Sequence, residues 1–522
     1  MHSAPGSPAR SLGSMLVGKI LTTAARRFRH REAVFCPSTG QRASFLELEE
    51  RSNRLANALL ALGLPKGSVV AFLCANRIEI LEIYFALAKC GLPGLPLNYR
   101  LAPTEVGDLL ESMQARVLIC EARFAATVEG LAGRCPGIST HVWIGADAPA
   151  SCIGFEALVA GGQPALPALE IQETDVFYYN LTSGTTGLPK CYAITQFNFS
   201  ALESTVVGFD LRTDDVFLTA FPAFGRVGFG WSLIAILMGA RNILMDFDPV
   251  AALALIESER VTFTNLVPTM AALLLGREEL ATTRVDSLRA LCFVGAALPP
   301  TIRDETMARL CPRIYEAYGL QEAGNLTVSS PEDRLRKPGS VGLPVLFAEV
   351  RVVDADGRDV PVGETGEVIG RSPNSILGYF ANPQKTAEAF RNGWFHTGDL
   401  GAFDDEGYLY IRGRVKDMII TGGQNVHSSE VEAVVLACPG VSDCAVFGLP
   451  DPVWGEVVAV AIVPSGEPPD AESLQSACRE KLAGFKVPRR VFVRQDPLPR
   501  TPTGKVQKFL LVERYGSPAH GA

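Results

Sequence analysis

The sequence predicts a mixed α/β fold, and three observations support this fold class. Short β-rich runs alternate with helix-period stretches from about residue 40 to residue 300, a pattern typical of α/β layers with mainly parallel sheets. Beyond about residue 340, strands are separated by Asp-Gly and other Gly-rich turns, which indicates a smaller β-rich subdomain. Residues 415–522 have their own pattern of strands and helices, at a length ordinary for a small domain.

Apolar spacing predicts the elements of the first part of the chain. Helix-period spacing predicts a first helix over 16–28 and another over 77–88. The apolar run 231–238 stops at Gly239; it is too short to span a bilayer and predicts a buried helix. Buried strands are predicted at 69–73, 117–119 and 242–245.

The second part is predicted in the same way. Strands are expected at 349–353, 366–370, 407–411, 444–447 and 457–463, and helices at 429–438 and 471–482. We therefore expect an N-terminal domain over 1–414, with its β-rich subdomain at about 340–413, and a C-terminal domain over 415–522.

Composition excludes several classes of protein. At 522 residues, with 47% hydrophobic and 20% charged residues, the chain is typical of a globular protein of two or three domains. A formal net charge of −8 without a basic stripe argues against nucleic acid as a partner. The 12 cysteines stand singly, as reduced thiols do in a cytoplasmic protein, and no membrane segment is predicted.

One loop contains glycines, hydroxyls and a lysine in an arrangement that suits a phosphate. Glycines allow backbone N–H groups to approach an anion, hydroxyls add donors, and the lysine adds a positive charge. The spacing is not that of a Walker A loop. A plain surface turn is the alternative interpretation. The candidate residues are Thr182, Ser183, Gly184, Thr185, Thr186, Gly187 and Lys190.

Four further segments follow this loop, at 315–322, 394–399, 413–417 and 499–505. Together and in this order they resemble the adenylate-forming superfamily of acyl- and aryl-CoA synthetases, over nearly the whole chain. The resemblance implies a large N-terminal domain of stacked α/β subdomains with a small β-subdomain, and a small mobile C-terminal domain. It implies an enzyme that joins a carboxylic acid to coenzyme A through an acyl-adenylate, using ATP and Mg²⁺.

The resemblance also assigns roles to residues. Lys505 matches the catalytic lysine, Asp399 and Arg414 match the ribose contacts, and Glu322 matches the Mg²⁺ ligand. A carboxylate suits hydroxyl donors and a hard cation alike. Tyr318 would offer its ring to adenine; a plain core aromatic is the alternative interpretation. The remaining nucleotide or adenylate contacts are Gly295, Ala296, Gly319 and the catalytic position Gln321.

The resemblance assigns the second half-reaction, in which the acyl group passes from the adenylate to coenzyme A, to a rotation of the C-terminal domain. Lys416 matches the hinge, and Gly422 and Gly423 match the passage for coenzyme A, where glycine allows close approach. A simple hairpin turn is the alternative for the two glycines.

A roomy apolar pocket is expected for a medium aliphatic, polycyclic or aryl acid, although core packing would equally explain the aromatic residues that suggest it. The acyl-pocket candidates are Phe224, Gly225, Arg226, Phe229 and Ala297, with Trp231 beside them.

The chain departs from the family pattern at several positions. Gln321 stands where a threonine hydroxyl normally meets the α-phosphate region, and losing one aligned donor typically costs ~10²–10³ in rate. Cys191 and Tyr192 replace Gly-Val after the phosphate loop, and Gln196 replaces a histidine. Arg226 follows the pocket motif; it faces an anion or, by default, water.

These departures leave alternative functions open. The main prediction is a complete ATP-dependent ligase. A second is a ligase with impaired adenylation, which takes an acyl-adenylate from a partner enzyme and forms the thioester. A non-catalytic sensor of adenylates or nucleotides is a third, and nothing in the sequence indicates a luciferase-like oxygenase. The particular acid, and whether the protein is a monomer or a homodimer, stay undetermined.

Overall fold

Four β-sheets organise the protein, seen here in a computed structural model that describes residues 14–131, 133–181, 191–500 and 506–516. The first strands are β1 Glu32–Cys36, β2 Gln41–Ser44, β3 Val70–Leu73, β4 Gly94–Pro96, β5 Val117–Glu121, β6 Thr140–Ile144, β7 Ile153–Gly154, β8 Val176–Leu181, β9 Cys191–Thr195, β10 Val216–Thr219, β11 Arg241–Leu244, β12 Phe263–Leu266 and β13 Ala290–Val294. Those that follow are β14 Ile314–Leu320, β15 Gly324–Ser329, β16 Leu343–Pro344, β17 Glu349–Val353, β18 Gly366–Arg371, β19 Phe390–Arg391, β20 Trp394–Phe403, β21 Leu409–Arg414, β22 Met418–Thr421, β23 Gln424–His427, β24 Val441–Asp451, β25 Gly455–Pro464 and β26 Arg490–Val493.

Helices cover these sheets. They are α1 Val17–Phe28, α2 Phe45–Ala61, α3 Ile78–Cys90, α4 Pro103–Ser112, α5 Ala125–Glu129, α6 Phe155–Gly161, α7 Gln196–Ser200, α8 Glu203–Gly208, α9 Arg226–Met238, α10 Pro249–Ser258, α11 Pro268–Leu275, α12 Pro300–Arg309, α13 Pro331–Arg336, α14 Pro383–Ala389, α15 Ser428–Leu436, α16 Ala471–Lys481 and α17 Lys508–Tyr515. Across the described ranges, no helix combines the length and the apolarity needed to cross a bilayer.

Two large sheets form the first part of the chain. One has the order β7-β6-β5-β3-β4-β8-β9, and the other β16-β15-β14-β13-β12-β10-β11-β1-β2. Most neighbouring strands in both run parallel, for example β3 with β5 and β12 with β13. Parallel strands joined by helices are the arrangement that the alternating sequence pattern predicts.

Helices α3 and α9 pack between the large sheets. Every residue of α3 is buried, and each of its three charged side chains is paired with an opposite charge, as buried charges require. Tyr84 of α3 stacks on Phe229 of α9 with ring centroids 3.8 Å apart. Phe72 of one sheet and Phe217 of the other belong to the same hydrophobic core, so this core joins the two sheets.

The two smaller sheets contain the rest of the chain. Strands β17, β18, β19, β20 and β21 form one sheet, and β22 to β26 form the other. In β25, Val458, Val460 and Ile462 face α15 and α16, whereas Val457 and Ala459 lie in the cluster that contains Leu511 of α17. This alternation is the period of two expected of a strand.

The predicted fold class is confirmed, and the predicted elements are present with small shifts at their ends. The helix predicted over 77–88 is α3, and the strand predicted over 349–353 is β17. The strand predicted at 444–447 is the longer β24. One sheet ends at Arg414 and the next begins at Met418; the division into domains at 414 stays a prediction.

Candidate active site

The carboxyl ends of β10, β12, β13 and β14 lie along one edge of the nine-stranded sheet, because these strands are parallel neighbours. The chain leaves β13 through Gly295 and passes along β14 to Gln321. Ligands of open α/β sheets bind outside the carboxyl ends of strands. This edge is therefore where the sequence-predicted site residues should meet.

Three predicted nucleotide residues form one hydrogen-bonded cluster. The carboxylate of Asp399 accepts from the Tyr318 hydroxyl at 2.8 Å and from the Arg414 Nε at 2.8 Å. Asp399 in β20 lies directly opposite Arg414 in β21, next to a β-bulge. Tyr318 reaches it from β14 in the large sheet. The cluster thus connects two sheets with residues up to 96 positions apart (414 minus 318).

Asp399 is held rigidly and keeps capacity for a ligand. It is 5% exposed, and its backbone N–H donates to the Thr397 hydroxyl at 3.0 Å, which donates in turn to the Val368 carbonyl at 2.6 Å. Two carboxylate oxygens provide about four acceptor sites, so both protein contacts leave room for hydroxyl donors. Burial and the Asp399 charge raise the pKa of Tyr318 well above its ordinary value, which keeps it a donor.

Glu322 follows the end of β14 by two residues and is half-buried. Its Oε1 accepts from the Tyr379 hydroxyl at 2.9 Å, and its backbone carbonyl accepts from the Ile376 N–H at 2.8 Å. Among the described residues no group of three or more His, Cys, Asp or Glu side chains is placed to hold a metal ion. Mg²⁺ is usually bound by one or two carboxylates together with phosphate oxygens, so a single anchored carboxylate fits it.

Gln321 has contacts on both its side chain and its backbone. Its amide oxygen accepts from the Tyr192 hydroxyl at 2.7 Å. Its backbone carbonyl accepts from the Arg226 guanidinium, which also donates to the carbonyl of Asn374. Arg226 is half-buried, which corrects the default expectation that its charge lies in open water.

The predicted glycines occupy positions that suit glycine. A Cβ at Gly319 would lie 2.1 Å from the Gly324 carbonyl oxygen, and Gly295 has a φ of +84°. Ala296 is half-buried and Ala297 is exposed. Their assignment to the adenylate and the acyl group stays a prediction.

The acyl-pocket prediction is corrected at two aromatics. Phe229 is 0% exposed and packs on Tyr84 and Phe199, and Trp231 is buried against Phe263. Both are core residues, because α9 presents apolar residues on all its faces.

Phe224 and Gly225 are different, because both are half-buried in the loop that precedes α9. The ring of Phe224 meets that of Tyr99 edge-on, with centroids 5.0 Å apart. These two residues stay candidates for the acyl pocket.

Gly422 and Gly423 form the two-residue turn between β22 and β23, with φ of +55° and +75°. The hairpin interpretation is therefore right about structure, and a role toward coenzyme A stays a prediction. The Gly422 N–H donates to the Trp454 carbonyl at 2.8 Å. Lys416 is exposed in a short 3₁₀ turn over Val415–Asp417; its hinge role is likewise a prediction.

His427, at the end of β23, is half-buried, and its Nδ1 has no hydrogen-bond partner among the described residues. Burial lowers the pKa of its imidazole below the ordinary 6.5. The nearby charges are Glu430, which opposes that shift, and Lys486 and Arg412, which add to it.

The other atypical positions have structural explanations. The Gln196 amide oxygen accepts from the Val17 N–H at 3.1 Å, and its nitrogen donates to the Ala88 carbonyl at 3.1 Å. Gln196 therefore ties α1 to α3, and its contacts lie away from the cluster. Burial raises the pKa of the Cys191 thiol to about 12, so it is not a nucleophile at neutral pH. The predicted phosphate loop, 182–190, and Lys505 lie outside the described residues.

Comparison with known proteins identifies the family. The profile described as AMP-binding enzyme matches residues 21–380, and that of the AMP-binding enzyme C-terminal domain matches residues 430–505. The chain belongs to the AMP-binding enzyme family. The predicted membership of the adenylate-forming superfamily is thus confirmed.

Individual members of the AMP-binding family resemble the chain over nearly its full length. It is 35% identical to the long-chain-fatty-acid–CoA ligase FadD13 of Mycobacterium tuberculosis over 506 residues, 96% of this chain and 99% of that protein. It is 36% identical to a feruloyl-CoA synthase of Amycolatopsis over 482 residues, 91% and 95% of the two chains. The structure of ATP-bound MatB from Rhodopseudomonas palustris superposes with a TM-score of 0.88 at 30% identity, covering 97% and 100%.

Sequence reasoning missed several residues of this candidate site. Tyr379 contacts Glu322, Thr397 holds Asp399, and Asn374 accepts from Arg226. Tyr192 stood out as atypical but without a partner. The only sequence signal for a role of Tyr192 was its position two residues after the predicted phosphate loop.

Proposed function

We propose that this protein is an acyl-CoA ligase that converts a carboxylic acid to its CoA thioester through an acyl-adenylate. The class is that of its relatives, which are named as CoA ligases acting on fatty and aromatic acids. The observation that carries the proposal is the convergence of Tyr318 and Arg414 on the buried carboxylate of Asp399. Such a carboxylate is suited to the two hydroxyls of a ribose.

In the first half-reaction, a carboxylate oxygen of the acid attacks the α-phosphorus of ATP, and pyrophosphate leaves. Asp399 and Arg414 would orient the ribose, and Glu322, with the Tyr379 hydroxyl on its Oε1, would hold Mg²⁺. When bound, the cation neutralises charge on the phosphates. Lys505 and the loop residues Thr182 to Lys190 supply the remaining donors in this proposal.

In the second half-reaction, the thiol of coenzyme A attacks the acyl carbon, and AMP leaves. We assign this step to a rearrangement of residues 415–522 about Lys416, which would bring the Gly422–Gly423 turn to the cleft. Positive φ at both glycines presents backbone with no side chain in the way.

The acid is proposed to be apolar, either aryl or aliphatic. Phe224, an acyl-pocket candidate, makes an edge-on contact with the Tyr99 ring, and the relatives named for fatty acids and ferulate support this class. A small dicarboxylic acid such as malonate serves as the opposite extreme in a substrate panel.

A two-arm assay tests the proposal. The protein is incubated with fatty acids, ferulate, indoleacetate or malonate plus ATP, Mg²⁺ and CoA, and pyrophosphate and acyl-CoA are measured separately. In parallel, synthetic acyl-adenylate and CoA are supplied without ATP. We expect acid-dependent pyrophosphate release and thioester in both arms.

The outcomes separate the alternatives. Thioester from the adenylate alone would indicate that a partner enzyme supplies the adenylate. Neither product, with measurable nucleotide binding, would indicate a sensor. Lys505→Ala provides the matched control, because it should abolish pyrophosphate release and spare thioester formation from the adenylate.

A further inference from the structure

Three departures from the family pattern meet at one point in the structure. Tyr192 follows the phosphate loop, Arg226 follows the pocket motif, and Gln321 replaces a threonine. Tyr192 and Gln321 are 129 residues apart in sequence, yet their side chains are hydrogen-bonded at 2.7 Å. Arg226 donates to the backbone carbonyl of the same Gln321.

The Tyr192 hydroxyl is buried and has Gln321 as its acceptor. The residue is 0% exposed, and a buried hydroxyl without a partner is costly. Burial raises the pKa of Tyr192 well above its ordinary value, so the phenol stays protonated. Its hydroxyl donates to the Gln321 Oε1.

This contact determines what the Gln321 amide offers to a ligand. A primary amide has one acceptor oxygen and two N–H donors. With the oxygen turned toward Tyr192, the Nε2 donors point away from it, from a side chain that is half-exposed. If the amide were reversed, its oxygen would face the phosphate oxygens. The two would repel each other, because neither oxygen has a proton to donate.

Arg226 fixes the other half of the same residue. It lies in the first turn of α9, where the helix dipole disfavours a cation. In the described part of the chain it has no carboxylate partner, and its guanidinium instead bridges the carbonyls of Gln321 and Asn374. The bridge restrains the backbone from which the Gln321 amide projects.

We propose that Tyr192 and Arg226 are positioning residues that make Gln321 the hydrogen-bond donor to the adenylate phosphate, in place of the hydroxyl of the family pattern. This inference rests on the proposed function and extends it, because it explains how a chain without that hydroxyl carries out adenylation.

A double-mutant cycle between Tyr192 and Gln321 tests the proposal. In the wild-type background, Tyr192→Phe frees the amide to turn, and we expect the turnover number of acid-dependent ATP–pyrophosphate exchange to fall about tenfold, with KM for the acid unchanged. Gln321→Glu, which removes both N–H donors, should lower turnover ~10²-fold or more. In the Gln321→Thr background the hydroxyl needs no orientation, so Tyr192→Phe should change turnover by no more than about twofold.

One control variant and one further test variant separate positioning from packing. Tyr178→Phe removes an equally buried hydroxyl from the neighbouring strand β8, one that has no hydrogen-bond partner among the described residues; we expect turnover to stay unchanged. Arg226→Lys keeps the charge but cannot bridge two carbonyls in a fixed plane. It should lower turnover in the wild type and less in the Gln321→Thr background.

Equal penalties for Tyr192→Phe in both backgrounds would overturn the proposal, because the hydroxyl would then act without Gln321. If the wild type forms thioester from synthetic adenylate but exchanges no pyrophosphate, the ATP-dependent function is refuted instead. The same cycle is then measured on thioester formation, in which the α-phosphate leaves with AMP. If the effect of Tyr192→Phe on thioester formation depends on the residue at position 321, the positioning of Gln321 is supported. If the effects of the two substitutions are additive, the proposal is overturned.

Discussion

Replacing Asp399 with Asn tests whether the Tyr318–Asp399–Arg414 cluster holds a ribose. The substitution conserves shape and leaves an acceptor oxygen, while it removes the negative charge that Tyr318 and Arg414 contact at 2.8 Å. The side chain of Arg414 is 34% exposed, so water can solvate the guanidinium that loses its partner. The variant should therefore fold and lose mainly ligand affinity.

The magnitude follows from the change in acceptor. A hydrogen bond to a charged group contributes about 1.5–3 kcal/mol, against about 0.5–1.5 kcal/mol for a neutral one. The loss is thus about 1–1.5 kcal/mol for each ribose hydroxyl, or about 2–3 kcal/mol for two. That corresponds to a decrease of about 30- to 150-fold in ATP affinity.

The assay compares kcat/KM for ATP with that for 3′-deoxy-ATP, which lacks one of the two hydroxyls. We expect the wild type to prefer ATP by about 10- to 100-fold and Asp399→Asn by about tenfold or less. Glu349→Gln is the matched control, since its carboxylate pairs with Arg371 at 2.7 Å in the same sheet but on the surface. An unchanged preference in Asp399→Asn would refute the ribose assignment.

Four further predictions concern other parts of the molecule. Glu322→Gln should raise the Mg²⁺ concentration needed for pyrophosphate release by about tenfold or more and spare thioester formation from synthetic adenylate. Gly422→Ala should slow thioester formation more than pyrophosphate release, because its Cβ would lie 2.7 Å from the Trp454 ring at a φ of +55°. The lowered pKa of His427 means that near and below pH 6.5 the unfolded chain binds more protons than the native one, so stability decreases as the pH falls. In thermal unfolding at pH 7.5 and pH 5.5, the decrease in melting temperature on acidification should be smaller for His427→Gln than for the wild type. Phe229→Ala should destabilise the protein by about 3–5 kcal/mol in chemical denaturation without changing the order of preference among acids.

The layout of the fold was predictable because the periodicity of apolar residues and the positions of turn residues are local signals. The apolar run of α3 and the alternation in β17 lie entirely within the segments that form them. Strand ends were less predictable: β24 extends to Asp451 because its pairing with β25 continues to Gly455. Pairing with a distant strand leaves no trace in a short window.

The Tyr318–Asp399–Arg414 cluster was predictable as a set of residues, but its geometry was not. The pattern of segments named Asp399 and Arg414, and the register of β20 and β21 pairs them opposite each other, beside a β-bulge whose extra residue lies in β21. A shift of one residue in that register would turn the two side chains to opposite faces. The same limitation explains the error at Phe229, because a buried aromatic and a pocket aromatic look alike in sequence.

The atypical residues show why reading positions one at a time misleads. Gln196 departs from the family pattern for a reason in the core, where it links α1 and α3. Gln321 suggests impaired adenylation only when it is considered without Tyr192. In our proposal, the hydrogen bond from the Tyr192 hydroxyl sets the orientation of the Gln321 amide. Residues in direct contact have effects that depend on each other. A glutamine placed at this position in a relative that lacks the tyrosine should therefore impair adenylation, and adding the tyrosine should restore much of it.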